Sequence, residues 1–256
     1  MSAAAWDEGA LSADKFLGGR LVLHQPVKGY RAGVDPVLLA ASVEARAGQS
    51  LLDLGCGVGT AALCAGRRVP GLVLAGLERQ APYAALARRN AAENGLAMEV
   101  LEGDLSAMPA GLRQRQFDHV IANPPYFRRD ASTRAVAEDR EGAMGEETPL
   151  ATWVGAAARR CLQGGHVTFI HRVERLPELM AAFAAHLGSL ELKPLVPRAG
   201  RESQLCLLRG RKGGRAAFRL HAGILLHQRA QHESDRSDYT EEASRVLREA
   251  APLTFG

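Results

Sequence analysis

The chain has 256 residues, 46% of them hydrophobic and 23% charged, with a formal net charge of +4. That supports a full apolar core for one α/β domain with appendages, and it excludes wholesale disorder. The cysteines Cys56, Cys64, Cys161 and Cys206 show no C-x-x-C spacing, and the eight histidines show no metal-ligand spacing. A disulfide framework and a standard zinc site are therefore excluded, and a metal-free protein of a reducing, cytoplasmic compartment is expected. No run approaches the ~18 consecutive apolar residues of a membrane span. The first thirty residues hold Asp7, Glu8 and Asp14, so no secretory signal is expected. The mildly basic balance permits a nucleic-acid partner without demanding one.

Residues 1–17 have no clean period and read as a frayed start. Leu21-Val22-Leu23, followed by the turn-like Lys28-Gly29-Tyr30, reads as a short strand pair. A helix is predicted to open with Asp35 as N-cap and Pro36 at its first position, and to end at Gly48. From residue 50 strands and helices alternate. Strands are predicted at 50–54, 72–77, 98–101, 117–122 and 166–171, and helices at 59–68, 81–94, 150–162 and 176–186. Segments 190–196 and 204–209 read as a closing pair of strands, and Asp238 and Glu241 have capping-box spacing at the start of a last short helix. Such alternation predicts crossover units and a mostly parallel sheet with helices on both faces. The expected organisation is a hairpin and helix extension over 1–48, a core over 49–210 and a C-terminal extension over 211–256.

Two stretches break the pattern. Residues 127–147 hold four arginines and six acids with few apolar residues, which fits either a solvated connection or a lid over a substrate. Residues 198–219 hold Arg198, Arg201, Arg209, Arg211, Lys212, Arg215 and Arg219 against the single acid Glu202. That segment reads either as a solvated hairpin or as a surface for RNA.

The first strand of the alternation runs into Asp53-Leu54-Gly55-Cys56-Gly57-Val58-Gly59. Glycines placed directly after a strand let the backbone turn tightly and approach a ligand. The spacing is G-x-G-x-G rather than the dinucleotide G-x-G-x-x-G, with an acid two residues before the first glycine. A pyrophosphate is repelled by Asp53, whereas the ammonium group of a methionine-like moiety is attracted to it. The loop therefore favours S-adenosylmethionine. Glu78 ends the second strand, where a carboxylate can accept both ribose hydroxyls. Asp104 and Leu105 follow the third strand, where Asp104 can reach an adenine amino group. Alone, Glu78 or Asp104 reads more readily as a solvated strand end, but their register with the glycine loop reverses that judgement. Cys56 reads as a packing residue of the loop.

The fourth strand ends in Asn123-Pro124-Pro125-Tyr126. Two prolines remove two N–H donors and leave a surface that mainly accepts hydrogen bonds. A planar NH₂ group, whose lone pair is delocalised, needs such a surface to become nucleophilic. The Asn123 side-chain oxygen and the Pro124 carbonyl can each hold one N–H, and both gain strength as positive charge develops on the nitrogen. Pro125 and Tyr126 are expected to face the substrate, and the Tyr126 ring can stack on a planar base.

On these motifs the chain resembles the Asn-Pro-Pro-Tyr class of S-adenosylmethionine-dependent methyltransferases. Within that class it is most similar to the bacterial tRNA1(Val) (adenine(37)-N6)-methyltransferase family. The likeness runs from about Gly19 to Tyr239 and includes the segment 28–35, the turn 210–213 and the element 239–241. The resemblance implies a Rossmann-like class I fold with a mostly parallel seven-stranded sheet, S-adenosylmethionine as cofactor and N6-methylation of an adenine in RNA. The anticodon-loop adenine of a tRNA is the expected target, and a monomer is expected. It also implies that Gly33 and Asp35 lie beside the cofactor's methionine end, while the charge density of the 198–219 segment makes Arg211 and Lys212 the expected RNA contacts. Three other readings stay open. A glutamine side-chain amide of a release factor poses the same nitrogen problem, although those enzymes usually carry a longer helical N-terminal domain. A DNA adenine methyltransferase usually needs a recognition region for which no insertion is visible. A module that binds cofactor or RNA without catalysis is the last.

Overall fold

The computed structural model describes residues 6–128, 145–146, 148–229 and 238–256. It opens with strands β1 (Leu11–Phe16) and β2 (Leu21–Pro26), paired antiparallel from Leu11↔Pro26 to Phe16↔Leu21. The expected frayed start is thus a strand from Leu11 onward, and β2 finds its partner upstream rather than beyond Lys28. The reason is visible in β2, where Leu21 and Leu23 are buried while Val22 and His24 face outward, so only one face is apolar. Helix α1 (Asp35–Ala41) follows. Its N-cap is Val34, and Asp35 stands inside the first turn, where its carboxylate is taken by another partner. The helix stops well before Gly48, with Ser42 as its C-cap, the hydroxyl bonding back to the Leu39 carbonyl at 2.7 Å.

The alternation then follows as β3 (Ser50–Leu54), α2 (Thr60–Arg68), β4 (Val73–Glu78), α3 (Ala81–Glu93), β5 (Met98–Glu102), α4 (Ala110–Arg113) and β6 (Phe117–Ala122). The one-turn α4 has no counterpart in the sequence reading. Next come two-residue strands β7 (Phe127–Arg128) and β8 (Gly145–Glu146), paired parallel, then α5 (Leu150–Arg160), β9 (Cys161–Arg172) and α6 (Leu176–Ala184). The segment weighed as a lid lies mainly outside the described residues. The second half closes with β10 (Gly188–Arg198), β11 (Leu205–Arg211), β12 (Arg219–Leu220), β13 (Ile224–His227) and α7 (Glu241–Glu249). The cap of α7 is Thr240, whose hydroxyl accepts from the Ala243 N–H at 3.1 Å. Asp238 is engaged instead by Arg198 at 2.6 Å, so the capping-box reading fails.

Seven strands run in the order β10-β11-β9-β6-β3-β4-β5, and the short β12 and β13 both join β10 at the outer edge. All pairs are parallel except the two made by β11. Consecutive residues Leu51 and Leu52 of β3 enter opposite core clusters, as a strand covered on both faces requires. One cluster joins Leu51 and Ile121 to α1 and α2, and also to Leu21 and Leu23 of the hairpin and Val246 and Phe255 near the C-terminal end. The other packs Leu52 and Val120 against Trp153 and Val154 of α5 and Phe183 of α6. Both flanking segments therefore share the core of the sheet. Strand order reverses between β3 and β6, which opens a crevice at the carboxyl ends of the strands.

Candidate functional site

That crevice holds a cavity of about 650 Å³. It is floored by the glycine loop that leaves β3. The loop is tied to β4, since the N–H groups of Gly55 and Cys56 both donate to the Leu77 carbonyl at 2.7 and 3.1 Å. Gly55 has φ +68°, and a Cβ on it would come within 2.6 Å of Trp153 Cη2, so no side chain fits between loop and indole. Glu78 closes the other side of the loop. Its carboxylate accepts from the Gly57 N–H at 2.9 Å and the Gln80 N–H at 2.8 Å.

Two buried carboxylates dominate the electrostatics. Asp53 is 3% exposed, and burial pushes its carboxyl up to about 7, with the Glu78 charge adding and the Ala62 N–H opposing. Burial also raises Glu78, against the N–H groups of Gln80 and Gly57. Both acids are thus held at a cost that a cationic or hydrogen-donating ligand would relieve. Asp104 differs, because the Ser106 hydroxyl and N–H bond its Oδ1 at 2.5 and 2.8 Å and hold its carboxyl low.

Across the cavity, β6 delivers Asn123-Pro124-Pro125-Tyr126. The Asn123 Nδ2 donates to the Tyr30 hydroxyl at 3.4 Å, while its buried Oδ1 has no partner among the described residues. Tyr126 donates its hydroxyl to Asp35 Oδ2 at 2.7 Å. Its ring meets the His171 ring at 5.4 Å, and the Arg172 guanidinium lies 5.8 Å from its centroid. Burial raises Asp35, opposed by the Tyr126 hydroxyl and the Arg172 charge.

Every residue expected at the cofactor or the tetrapeptide lines this one cavity: Gly33, Asp35, Asp53, Gly55, Gly57, Glu78, Asp104 and Leu105, with Asn123, Pro124, Pro125 and Tyr126. Arg211 and Lys212 do not. Arg211 pairs with His166 in the middle of β9, whereas Arg172 at the end of β9 lines the cavity. Six residues of strand separate them, about 20 Å. Three other cations of the basic segment are consumed internally, since Arg198 pairs with Asp238, and Arg209 and Arg219 share Glu191. Sequence reasoning missed Tyr30, Trp153 and Arg172, which line the cavity from outside the motifs. Only Tyr30 carried a signal, because it stands in the 28–35 segment.

A ligand combining a cationic amino acid end, hydroxyls and a planar base fits these partners, with the orphaned Asn123 Oδ1 as an independent mark of a filled site. Thr60 Oγ1 and Trp153 Nε1, also on the cavity, have no partner among the described residues. Among those residues, no group of three or more His, Cys, Asp or Glu is placed to hold a metal ion, and no helix is long and apolar enough to cross a membrane.

Residues 32–140 match the methyltransferase small domain family. The tRNA1(Val) (adenine(37)-N6)-methyltransferase of Porphyromonas gingivalis is 32% identical over 178 residues, covering 66% of this chain and 69% of that protein. The release factor glutamine methyltransferase of Bordetella pertussis is 31% identical over 137 residues, half of each chain. Among solved structures, a predicted O-methyltransferase from Agrobacterium tumefaciens superposes with a TM-score of 0.69 at 26% identity, covering 86% of this chain and 98% of its own.

Proposed function

Because this chain belongs to the S-adenosylmethionine-dependent methyltransferases that include the tRNA1(Val) (adenine(37)-N6)-methyltransferases, we propose that it methylates the N6 amine of an adenine in RNA, the anticodon-loop adenine 37 of a tRNA. The observation that carries this reading is the buried Asn123 Oδ1, left without a partner beside Pro124 at the end of β6. S-adenosylmethionine supplies an electrophilic methyl group on a sulfonium. Asp53 would hold the ammonium of its amino acid end with Gly55 and Gly57 below, and Gly33 and Asp35 would flank that end. Glu78 would accept the ribose hydroxyls, and Asp104 and Leu105 would border the adenine.

Asn123 Oδ1 and the Pro124 carbonyl accept the two N–H bonds of the substrate amine. That draws the nitrogen from planar toward tetrahedral and frees its lone pair for the methyl carbon. Bound S-adenosylmethionine would supply the methyl group at this point, and positive charge developing on the attacking nitrogen strengthens both hydrogen bonds, so these acceptors favour the transition state. The methylated nitrogen is strongly acidic and gives its surplus proton to water. Tyr126, fixed by Asp35, offers its ring to the base, a contact worth about 1–3 kcal/mol. A loop adenine is already single-stranded, so presenting it to the cavity costs less than extracting a paired base.

An RNA held this way meets Arg172 and the turn 199–204 at the cavity end of the sheet before it reaches Arg211 and Lys212. The competing reading, a protein glutamine amide, draws on the Bordetella relative and the same Asn123 chemistry. One observation supports RNA over it: the more extensive relative is a tRNA enzyme, matched over 178 residues against 137. The test is mass spectrometry of nucleosides from tRNA incubated with the protein and labelled cofactor. N6-methyladenosine is expected, and its appearance must be abolished by prior ribonuclease digestion. Label in a release-factor peptide and none in RNA would overturn the proposal.

A further inference from the structure

We infer that Tyr30 is a positioning residue for the methyl transfer, whose hydroxyl locks the Asn123 carboxamide with its oxygen toward the substrate amine. The inference rests on the proposed amine chemistry and assigns its control to a residue outside the tetrapeptide. A carboxamide has two nearly isosteric orientations, and only one suits this site. With Oδ1 toward the cavity it accepts the substrate's N–H. Turned by 180°, it presents N–H to N–H and the acceptor is lost. Pro124 and Pro125 fix the backbone of the motif but exert no hold on that terminal torsion.

Tyr30 supplies the hold. Its oxygen accepts from Asn123 Nδ2 at 3.4 Å, while the nearby carboxylates of Asp35 and Asp53 draw the hydroxyl proton toward themselves, so the phenol presents a lone pair rather than an O–H to Asn123 and Oδ1 is left as the free end. Burial first, then the carboxylates of Asp35 and Asp53, disfavour ionisation of this phenol, so it stays neutral throughout the working pH range. The ring sits beside the glycine loop, where a Cβ on Gly57 would come within 3.7 Å of Tyr30 Cε1.

The position of Tyr30 is itself over-determined. Its N–H donates to the Tyr83 hydroxyl of α3 at 3.1 Å, and the Tyr83 ring is met edge-on by Trp6 at 5.7 Å. Two residues on, the Ala32 N–H and carbonyl are both bonded by the Gln25 carboxamide, at 2.7 and 3.3 Å. Gln25 is 1% exposed and its Nε2 also donates to Asp14 at 2.9 Å. Arg31 reaches the same Asp14 at 2.7 Å. The hairpin thus grips the segment on both sides of Tyr30, and the chemistry at β6 is tuned by a residue 93 positions upstream.

The test is Tyr30→Phe, which removes one oxygen and keeps the ring, combined with Asn123→Ala in a double-mutant cycle. In single-turnover methylation of tRNA at saturating cofactor, Tyr30→Phe is expected to lower the rate about tenfold, the size of one net hydrogen bond. Calorimetric affinity for the cofactor and KM for RNA should stay within about twofold, because neither contact uses the hydroxyl directly. In the Asn123→Ala background the same substitution should cost nothing further, since no carboxamide remains to orient. An unchanged rate for Tyr30→Phe, or an equal loss in both backgrounds, overturns the inference while leaving the RNA reading intact. If the wild type labels a protein amide and not RNA, the RNA reading falls, and the same cycle run on that acceptor decides the role of Tyr30.

Discussion

Replacing Asp53 by Asn should make the ligand-free protein more stable by an amount that grows as pH rises from about 4 to about 7 and is fully present above that. Asp53 is fully enclosed, and its one bond among those described is the Ala62 N–H at 3.3 Å. Its carboxyl titrates near 3.8 in an unfolded chain and at about 7 in the folded one. The folded state therefore holds this proton more tightly. The stability it contributes is complete below 3.8 and is lost as pH rises through about 7. At pH 8 the ionised, buried group costs about 2–4 kcal/mol. Asparagine keeps the shape and an acceptor for Ala62 but carries no charge. Urea denaturation of both proteins at pH 4 and pH 8, without cofactor, gives two differences in stability. The one at pH 8 should favour the variant by about 2–4 kcal/mol more than the one at pH 4, and packing effects independent of pH cancel between them. The same variant should bind the cofactor more weakly, and the rise of wild-type affinity between pH 6 and 8 should disappear. Equal stability differences at the two pH values would refute the reasoning, because the carboxylate would then carry no burial cost for a ligand to relieve.

Glu78→Ala should weaken cofactor binding by about 1–3 kcal/mol in calorimetry, since it removes a charge-assisted acceptor and leaves the Gly57 and Gln80 N–H groups without theirs. Arg201→Glu, in the turn at the cavity end of the sheet, should weaken tRNA binding and flatten its dependence of log Kobs on log[salt] by about 1 in filter binding. Reversal of Arg211 and Lys212 together should change both less, and the opposite ranking would return the RNA to the far turn. Burial, with cations nearby, depresses both His119 and His171 to about 4. Folded-state values below the unfolded one mean that stability is lost as pH falls from 6.5 toward 4, and His119→Gln should lessen that loss in thermal scans between pH 7 and 4.5.

The cofactor side of the cavity was legible because its determinants are local. Asp53, the loop glycines, Glu78, Asp104 and the tetrapeptide each stand at the end of a strand, and parallel pairing alone brings such ends together. What escaped was set by long-range pairing. Leu11–Phe16 reads L-S-A-D-K-F, too polar to declare itself a strand until β2 lies beside it. The basic run looked like a surface because its partners Glu191 and Asp238 lie on other strands or beyond them, and strand pairing decides which cations remain outward. Asp35 looked like a cap by its place before Pro36, but Tyr126, 91 residues away, bonds its carboxylate instead. Tyr30 sat in a segment marked by resemblance, yet nothing local could reveal which atom of Asn123 it would hold.

The hairpin is fastened to α3 in a manner that carries its own consequence for divergence. Asn94 bonds both the N–H and the carbonyl of Val22, at 3.0 and 2.8 Å, and Asn90 does the same for His24, at 2.8 and 3.1 Å. Four residues apart on a helix, the two carboxamides stand on one face and copy the donor–acceptor rhythm of a neighbouring strand edge. They grip main chain and are indifferent to what side chains β2 carries outward. Val22 is thereby released to drift in sequence, and His24 is constrained only through its side-chain contact with Glu93 at 2.8 Å, while Asn90 and Asn94 are not released, since Asp at either place forfeits one bond of a matched pair and Ala forfeits both. A homologue can thus re-dress the outer face of its hairpin without disturbing the segment around Tyr30 that the hairpin holds in place.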